Sequence, residues 1–210
     1  KPEGLPDGTG FVPMIFKNHG NRQSIIDIAN SAKKAGIKNL LGFNEPDQAN
    51  QGNMTVAQAL DAWPVLQETG LRLGSPGCVH PDNEWMKSFM EGARKRELKV
   101  DFVCVHSYGS TDADAFIRRM GMIHKLFRKP IWITEFAVGD WNAKSPEENR
   151  YKPDKVLKFM EDVLPQLEKL DFIERYAWFP AKTDNRALTS SALWDATGKF
   201  TRLGECYRDF

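Results

Sequence analysis

Two glutamates in matching surroundings are the residues of this 210-residue chain best suited to chemistry. One lies in Leu40–Asp47, Leu-Leu-Gly-Phe-Asn-Glu-Pro-Asp, where an apolar run ends on Asn44 and Glu45 and Pro46 stops it. The other lies in Pro130–Ala137, Pro-Ile-Trp-Ile-Thr-Glu-Phe-Ala, where a second β-rich run delivers Glu135. Short apolar runs closed by turn-formers suit strands buried on both faces. Pro46 has no N–H for a ladder and biases Glu45 towards extended geometry, which puts Glu45 at a strand's C-terminal end. For either run alone, a surface turn acid is the plain alternative. Taken together, two strands that each present a Glu at the same end can cleave a glycosidic bond. One carboxyl protonates the departing sugar oxygen, and the other attacks or activates water.

The elements that must position these carboxyls can be read from spacing. Strands are expected near 11–16, 39–45, 71–75, 100–107, 130–136 and 172–179. Between them fall helical patterns. Ser24–Ala35 puts Ile25, Ile28, Ala29 and Ala32 on one face, with Gly36 just past its end. Thr55-x-x-Gln58 reads as a capping box, and Pro64 is expected to kink or divide the helix it opens. Further helices are expected near Asn83–Lys95, after Thr111-x-x-Asp114, over Pro153–Leu170 with a kink at Pro165, and over Thr201–Phe210. Lys1–Gly10 reads as a lead-in loop, and Gly139–Lys152 as a polar irregular segment where an active-site loop belongs. Strands that alternate with helices throughout mean α/β architecture, a parallel sheet covered by helices, in a single domain over 1–210.

Other side chains can be assigned to the same end of the sheet. His106 and Tyr108 are alternate residues near a strand's C-terminal end, so they point the same way and can orient a nucleophile and bind a sugar. Phe136 and Trp141, in or beside the loop after Glu135, are candidate sugar platforms; Asp47 and Gln48 follow Glu45 and are within reach of substrate. Trp63 and Trp132 read as core, and Trp85 as a packing residue at a helix start.

Composition narrows the classes. Lys and Arg number 29 against 28 Asp and Glu, a formal charge of +1, which gives no electrostatic footprint for nucleic acid or an anionic membrane. No apolar run approaches a membrane span, and Lys1 does not open a signal peptide. Cys78, Cys104 and Cys206 are an odd set without metal-ligand spacing; Cys104 reads as a core residue, and a Cys78–Cys206 bridge is open. The four histidines share no ligand spacing either, so no metal is expected.

The order of Gly-Phe-Asn-Glu-Pro-Asp, Ser-Pro-Gly (Ser75–Gly77), Val-His-Ser-Tyr-Gly (Val105–Gly109), Trp-Ile-Thr-Glu-Phe-Ala and Tyr-Ala-Trp-Phe (Tyr176–Phe179) resembles glycoside hydrolase family 128, the glycosyl hydrolase catalytic core domain of clan A. The resemblance runs from about Phe11 to the C-terminus. It implies a (β/α)8 TIM-barrel type fold in which the acid/base ends strand four and the nucleophile strand seven. Glu45 and Glu135 are three strands apart, which fits; the strand at Phe11 is then number three, and the first two β/α strands are expected to be absent from this chain. The resemblance further implies Glu45 as acid/base, Glu135 as nucleophile, Asn44 on the 2-hydroxyl of the cleaved sugar and Trp178 as the floor beneath it. It implies a retaining, endo-acting hydrolase of β-1,3-glucan that uses no cofactor, has a β-glucan polysaccharide or oligosaccharide as its partner, works as a monomer and acts outside the cell or in the cell wall. The residues themselves do not separate β-1,3 from β-1,4 linkage or mannan, and a non-catalytic β-glucan-binding or cell-wall protein is the alternative from another class.

Overall fold

The computed structural model of the chain describes residues 10–17 and 22–210. Except for Gly10, the expected lead-in loop lies outside them. The chain groups into two compact units, Lys1–Val105 with Phe127–Trp132, and His106–Leu126 with Ile133–Phe210.

In the first unit, α1 (Arg22–Lys34) leads to β1 (Asn39–Leu40), α2 (Val56–Glu68), β2 (Arg72–Leu73) and α3 (Glu84–Lys95). Gly36 takes φ +73°, the left-handed conformation that suits glycine just beyond a helix end. The strands are parallel and neighbour one another in sequence order. Met14 bridges Leu41, Asn39 and Leu40 pair with Arg72 and Leu73, and Gly74 and Cys78 bridge Phe102 and Val105. The regular ladder of β1 is much shorter than the strand expected near 39–45, although a further parallel bridge from Asn44 to Gly77 carries the strand path to the residue before Glu45.

Thr55 and Gln58 form the expected reciprocal cap of α2. Pro64 does not divide this helix, which runs continuously to Glu68. Asn83 caps α3 by accepting from the Met86 N–H. The core of this unit is aromatic: Trp63 meets Phe43 and Phe89 edge to face at 5.8 and 4.9 Å, and Trp132 stacks on Phe102 at 4.1 Å. Both tryptophans are buried, as their place in the sequence implies.

β3 (Val103–Gly109) and β4 (Ile131–Val138) pass from the first unit into the second, and β5 (Ile173–Trp178) joins them in the order β3-β4-β5. Between them come α4 (Ala113–Phe127) and α5 (Pro153–Leu167). At the start of α4 the Asp112 carboxylate accepts from the Ala115 N–H at 2.8 Å. Pro153 occupies the first turn of α5, where its missing donor costs nothing, and Pro165 leaves the helix unbroken. β6 (Ala181–Lys182) pairs in parallel with β7 (Ala192–Trp194), and Thr201 caps α6 (Arg202–Asp209). All three cysteines are free thiols.

Candidate active site

In the first unit the strand path ends at Glu45 with a sharp change of direction. Its φ is +39°, so the backbone is left-handed and not extended as Pro46 led us to expect. A non-glycine residue there costs about 1–3 kcal/mol and persists only where the surroundings over-determine it. The Glu45 N–H donates to Gly77 O at 2.7 Å, and its carbonyl accepts from the Gln48 N–H at 3.0 Å, which closes a turn directly after the strand. These two bonds override the local preference imposed by the proline. Asn44, 6% exposed, donates through its backbone to Phe16 O and through Nδ2 to Gln51 Oε1 at 3.4 Å. Asp47 is committed to its neighbours: its carboxylate accepts from the Val79 N–H at 3.2 Å and from Asn83 Nδ2 at 2.8 Å. Burial pushes the adjacent Cys78 thiol up, and the Asp47 charge beside it pushes the same way.

In the second unit strand alternation does the positioning. His106 and Tyr108 lie two apart on β3 and both reach Oε2 of Glu135 on β4. The Tyr108 hydroxyl donates at 2.5 Å, and His106 Nδ1 stands 3.6 Å away. The Glu135 side chain is 21% exposed and therefore accessible to a substrate. A hydroxyl bonded to a carboxylate contributes about 1.5–3 kcal/mol, so Tyr108 fixes this carboxyl firmly. Around Tyr108 stand two further rings, Trp141 at 5.7 Å and Phe179 at 5.5 Å, both edge to face.

Trp141 is 56% exposed, although the loop that carries it is well anchored. Asp140 accepts from the Arg150 N–H at 3.0 Å and the Asn142 N–H at 3.3 Å. The Arg150 N–H holds the Asp140 carboxyl below the usual carboxylate range, and the Asn142 N–H and the Arg150 charge act in the same direction. Asn149 Nδ2 donates to Ala187 O at 2.9 Å, and Arg186 donates to Ala143 O at 2.6 Å. The polar composition of 139–152 therefore does not mean a loose segment.

Two expected platforms are corrected. Phe136 is 0% exposed, packed edge to face against Trp178 at 4.9 Å and beside Phe116. Trp178 is 3% exposed, and its indole N–H donates to Ser191 O at 2.9 Å. Neither ring offers a face to a sugar. The reason is the two-residue period of a strand: with Glu135 turned towards Tyr108, its neighbour Phe136 must turn to the opposite side. The same parity places Trp178 with Phe136 and Phe159, and turns the next residue, Phe179, towards Tyr108. Phe179 was missed, and the alternation along β4 and β5 was the signal that could have found it.

Comparison with known proteins agrees with this chemistry. The family model described as glycosyl hydrolase catalytic core matches residues 1–207. The chain is 31% identical over 183 residues to Alkali-sensitive linkage protein 1 of Schizosaccharomyces pombe, covering 82% of this chain and 33% of that protein. It thus spans about a third of the length of that curated relative. Among solved structures, a GH128 subgroup I endo-β-1,3-glucanase mutant from Amycolatopsis mediterranei, in complex with laminaripentaose, matches 99% of this chain and 86% of its own, with a TM-score of 0.81 at 35% identity. A GH128 subgroup III curdlan-specific exo-β-1,3-glucanase from Blastomyces gilchristii, in complex with glucose, matches 100% of this chain and 86% of its own, with a TM-score of 0.78 at 28% identity.

Proposed function

Because the chain belongs to the glycosyl hydrolase catalytic core family, we propose that it is a retaining glycoside hydrolase of β-1,3-glucan, with Glu45 as acid/base and Glu135 as nucleophile. The observation that carries the reading is the hydrogen bond by which Tyr108 fixes Glu135 at an accessible strand end, with His106 Nδ1 3.6 Å away. Glu135 attacks the anomeric carbon while Glu45 gives its proton to the departing oxygen. A glycosyl-enzyme forms, and Glu45 then takes a proton from the water that releases the sugar. Asn44, on the residue before the acid, binds the 2-hydroxyl of the cleaved sugar. Trp141 and Phe179 supply ring faces on which the apolar faces of glucose units stack. Two carboxylates and water complete this chemistry without a cofactor.

The fold class that goes with the reading is the (β/α)8 barrel type, supported by strands in sequence order and by Glu45 and Glu135 lying three strands apart. Endo action is favoured by the higher identity to the endo-acting subgroup I structure than to the exo-acting subgroup III structure. An extracellular or cell-wall location and action as a monomer follow from the same reading. A second reading, glucan binding without cleavage, is favoured by the name of the yeast relative, which speaks of a linkage and not of hydrolysis.

Incubation with laminarin, cellulose and mannan, followed by reducing-sugar measurement, separates the readings. Release from laminarin alone supports the proposal. Binding to laminarin without release supports the second reading, and release from cellulose or mannan moves the specificity elsewhere.

A further inference from the structure

We propose that Asp47 and Gly52 are positioning residues that hold Glu45 in its left-handed turn and so keep its carboxyl aimed at the departing oxygen. The inference rests on Glu45 being the acid/base, and it adds what keeps that acid in place.

The chain after Glu45 folds back on itself. The Gly52 N–H donates to Asn44 O at 3.0 Å, and the Met54 N–H donates to Pro46 O at 2.9 Å. Gly52 is buried against this backbone: a Cβ there would stand 2.3 Å from Asn44 O and 3.1 Å from Pro46 Cα. Those contacts are to main chain, which cannot swing aside as a flexible side chain can, so any side chain at 52 displaces the segment that carries Glu45. Further along, the Trp85 indole N–H donates to Met54 O at 2.8 Å and fastens the exit of the loop.

Asp47 fastens the other side. Two residues past Glu45, it accepts from Val79 and Asn83. Asn83 is at the same time the cap of α3, so the turn at Glu45 is tied to the start of a regular helix. Gly77, which precedes this segment, accepts the Glu45 N–H. An ordinary loop anchor would also show such bonds. The distinction lies in which reaction step suffers when they are lost.

An acid catalyst matters only where the leaving group needs a proton. The test compares kcat/KM, which reports the first bond-breaking step, on laminarin and on a 2,4-dinitrophenyl β-glucoside of matching length, whose leaving group departs unprotonated. The proteins are wild type, Gly52→Ala, Asp47→Asn, the double variant Asp47→Asn with Asn83→Asp, and Glu45→Ala as reference. A displacement of about 1 Å can cost about a hundredfold in rate, so Gly52→Ala and Asp47→Asn should lose about that on laminarin and far less on the dinitrophenyl substrate. Asp47→Asn sets an amide donor against the Asn83 donor. The double variant restores a donor–acceptor pair and keeps a capping residue at 83, so it should regain activity on laminarin. Should Gly52→Ala fail to fold, the loss in Asp47→Asn and its recovery in the double variant carry the test alone. Equal losses on both substrates, or no loss, overturn the positioning role while a selective Glu45→Ala leaves the acid assignment standing. If Glu45→Ala is itself unselective, the acid assignment falls and the positioning role falls with it.

Discussion

The hydroxyl of Tyr108 donates to Oε2 of Glu135 across 2.5 Å, from the strand adjacent to the one that carries the carboxylate. With Glu135 as the proposed nucleophile, this hydrogen bond sets the direction of attack, so its loss should be felt in rate before stability. Tyr108→Phe keeps the ring and its edge-to-face packing with Trp141 and Phe179. At about 1.5–3 kcal/mol for a hydrogen bond to a charged group, kcat/KM on laminarin should fall by about ten- to a hundredfold. The melting temperature should stay close to that of the wild type. A near-normal rate would remove Tyr108 from the machinery.

The roles of the two carboxylates are separable by the anomer each variant makes with azide. With Glu135 as the proposed nucleophile, Glu135→Ala should form no glycosyl-enzyme, and azide in the vacated space should yield the α-glycosyl azide. Glu45→Ala still forms the glycosyl-enzyme on substrates with good leaving groups, and azide should then yield the β-azide. Nuclear magnetic resonance of the products reads the anomer directly. Exchanged anomers would exchange the assignments.

The two tryptophans near the site should behave in opposite ways. Trp178 is part of the core, so Trp178→Ala should cost about 3–5 kcal/mol of stability, measured by denaturant unfolding. Trp141 is exposed on an anchored loop. Its replacement by Ala should leave unfolding nearly unchanged and raise KM for laminarin oligosaccharides. The reverse pattern would mean that Trp178, and not Trp141, meets the sugar.

Loop anchoring by Asp140 has a pH signature. The Arg150 N–H and its companions lower the Asp140 carboxyl in the folded protein, so the unfolded chain takes up its proton first as pH falls. The stabilisation is therefore fully present above the ordinary Asp range and is lost as pH falls below about 4. The difference in melting temperature between wild type and Asp140→Asn should be constant near neutrality and shrink in acid. A gap that stays constant to pH 3 or widens would place the stabilisation in another group.

Much of this protein can be read before any coordinate is known, and the reason is locality. The capping box at Thr55 and Gln58, the proline in the first turn of α5 and the glycine beyond α1 each depend on residues a few positions apart. The two glutamates at strand ends stand out because apolar runs, a following proline and the wording around Asn44–Glu45 and Thr134–Glu135 are contiguous. His106 and Tyr108 could be paired because a strand's two-residue period is itself local; that same period was not applied to Glu135 and its neighbour Phe136, which was therefore offered as a sugar platform.

Other features were decided only by tertiary structure. Alternation says only that Trp178 and Phe179 face opposite ways; that Phe179 is the one turned towards Tyr108 depends on how β5 is registered against β4, which the resemblance behind Trp178 did not carry. The left-handed turn at Glu45 runs against the preference set by Pro46, because Gly77 O takes its N–H from a strand some thirty residues on. Asp47, read from its neighbours in sequence as a substrate group, is bonded to Val79 and Asn83. The firmness of 139–152 rests on partners at Arg186 and Ala187, distant in the chain. Sequence determined which residues are candidates for the chemistry, because their types and spacing are local properties. The tertiary structure decided which way they face and what holds them, because the hydrogen bonds and packing that settle both come from residues far away along the chain.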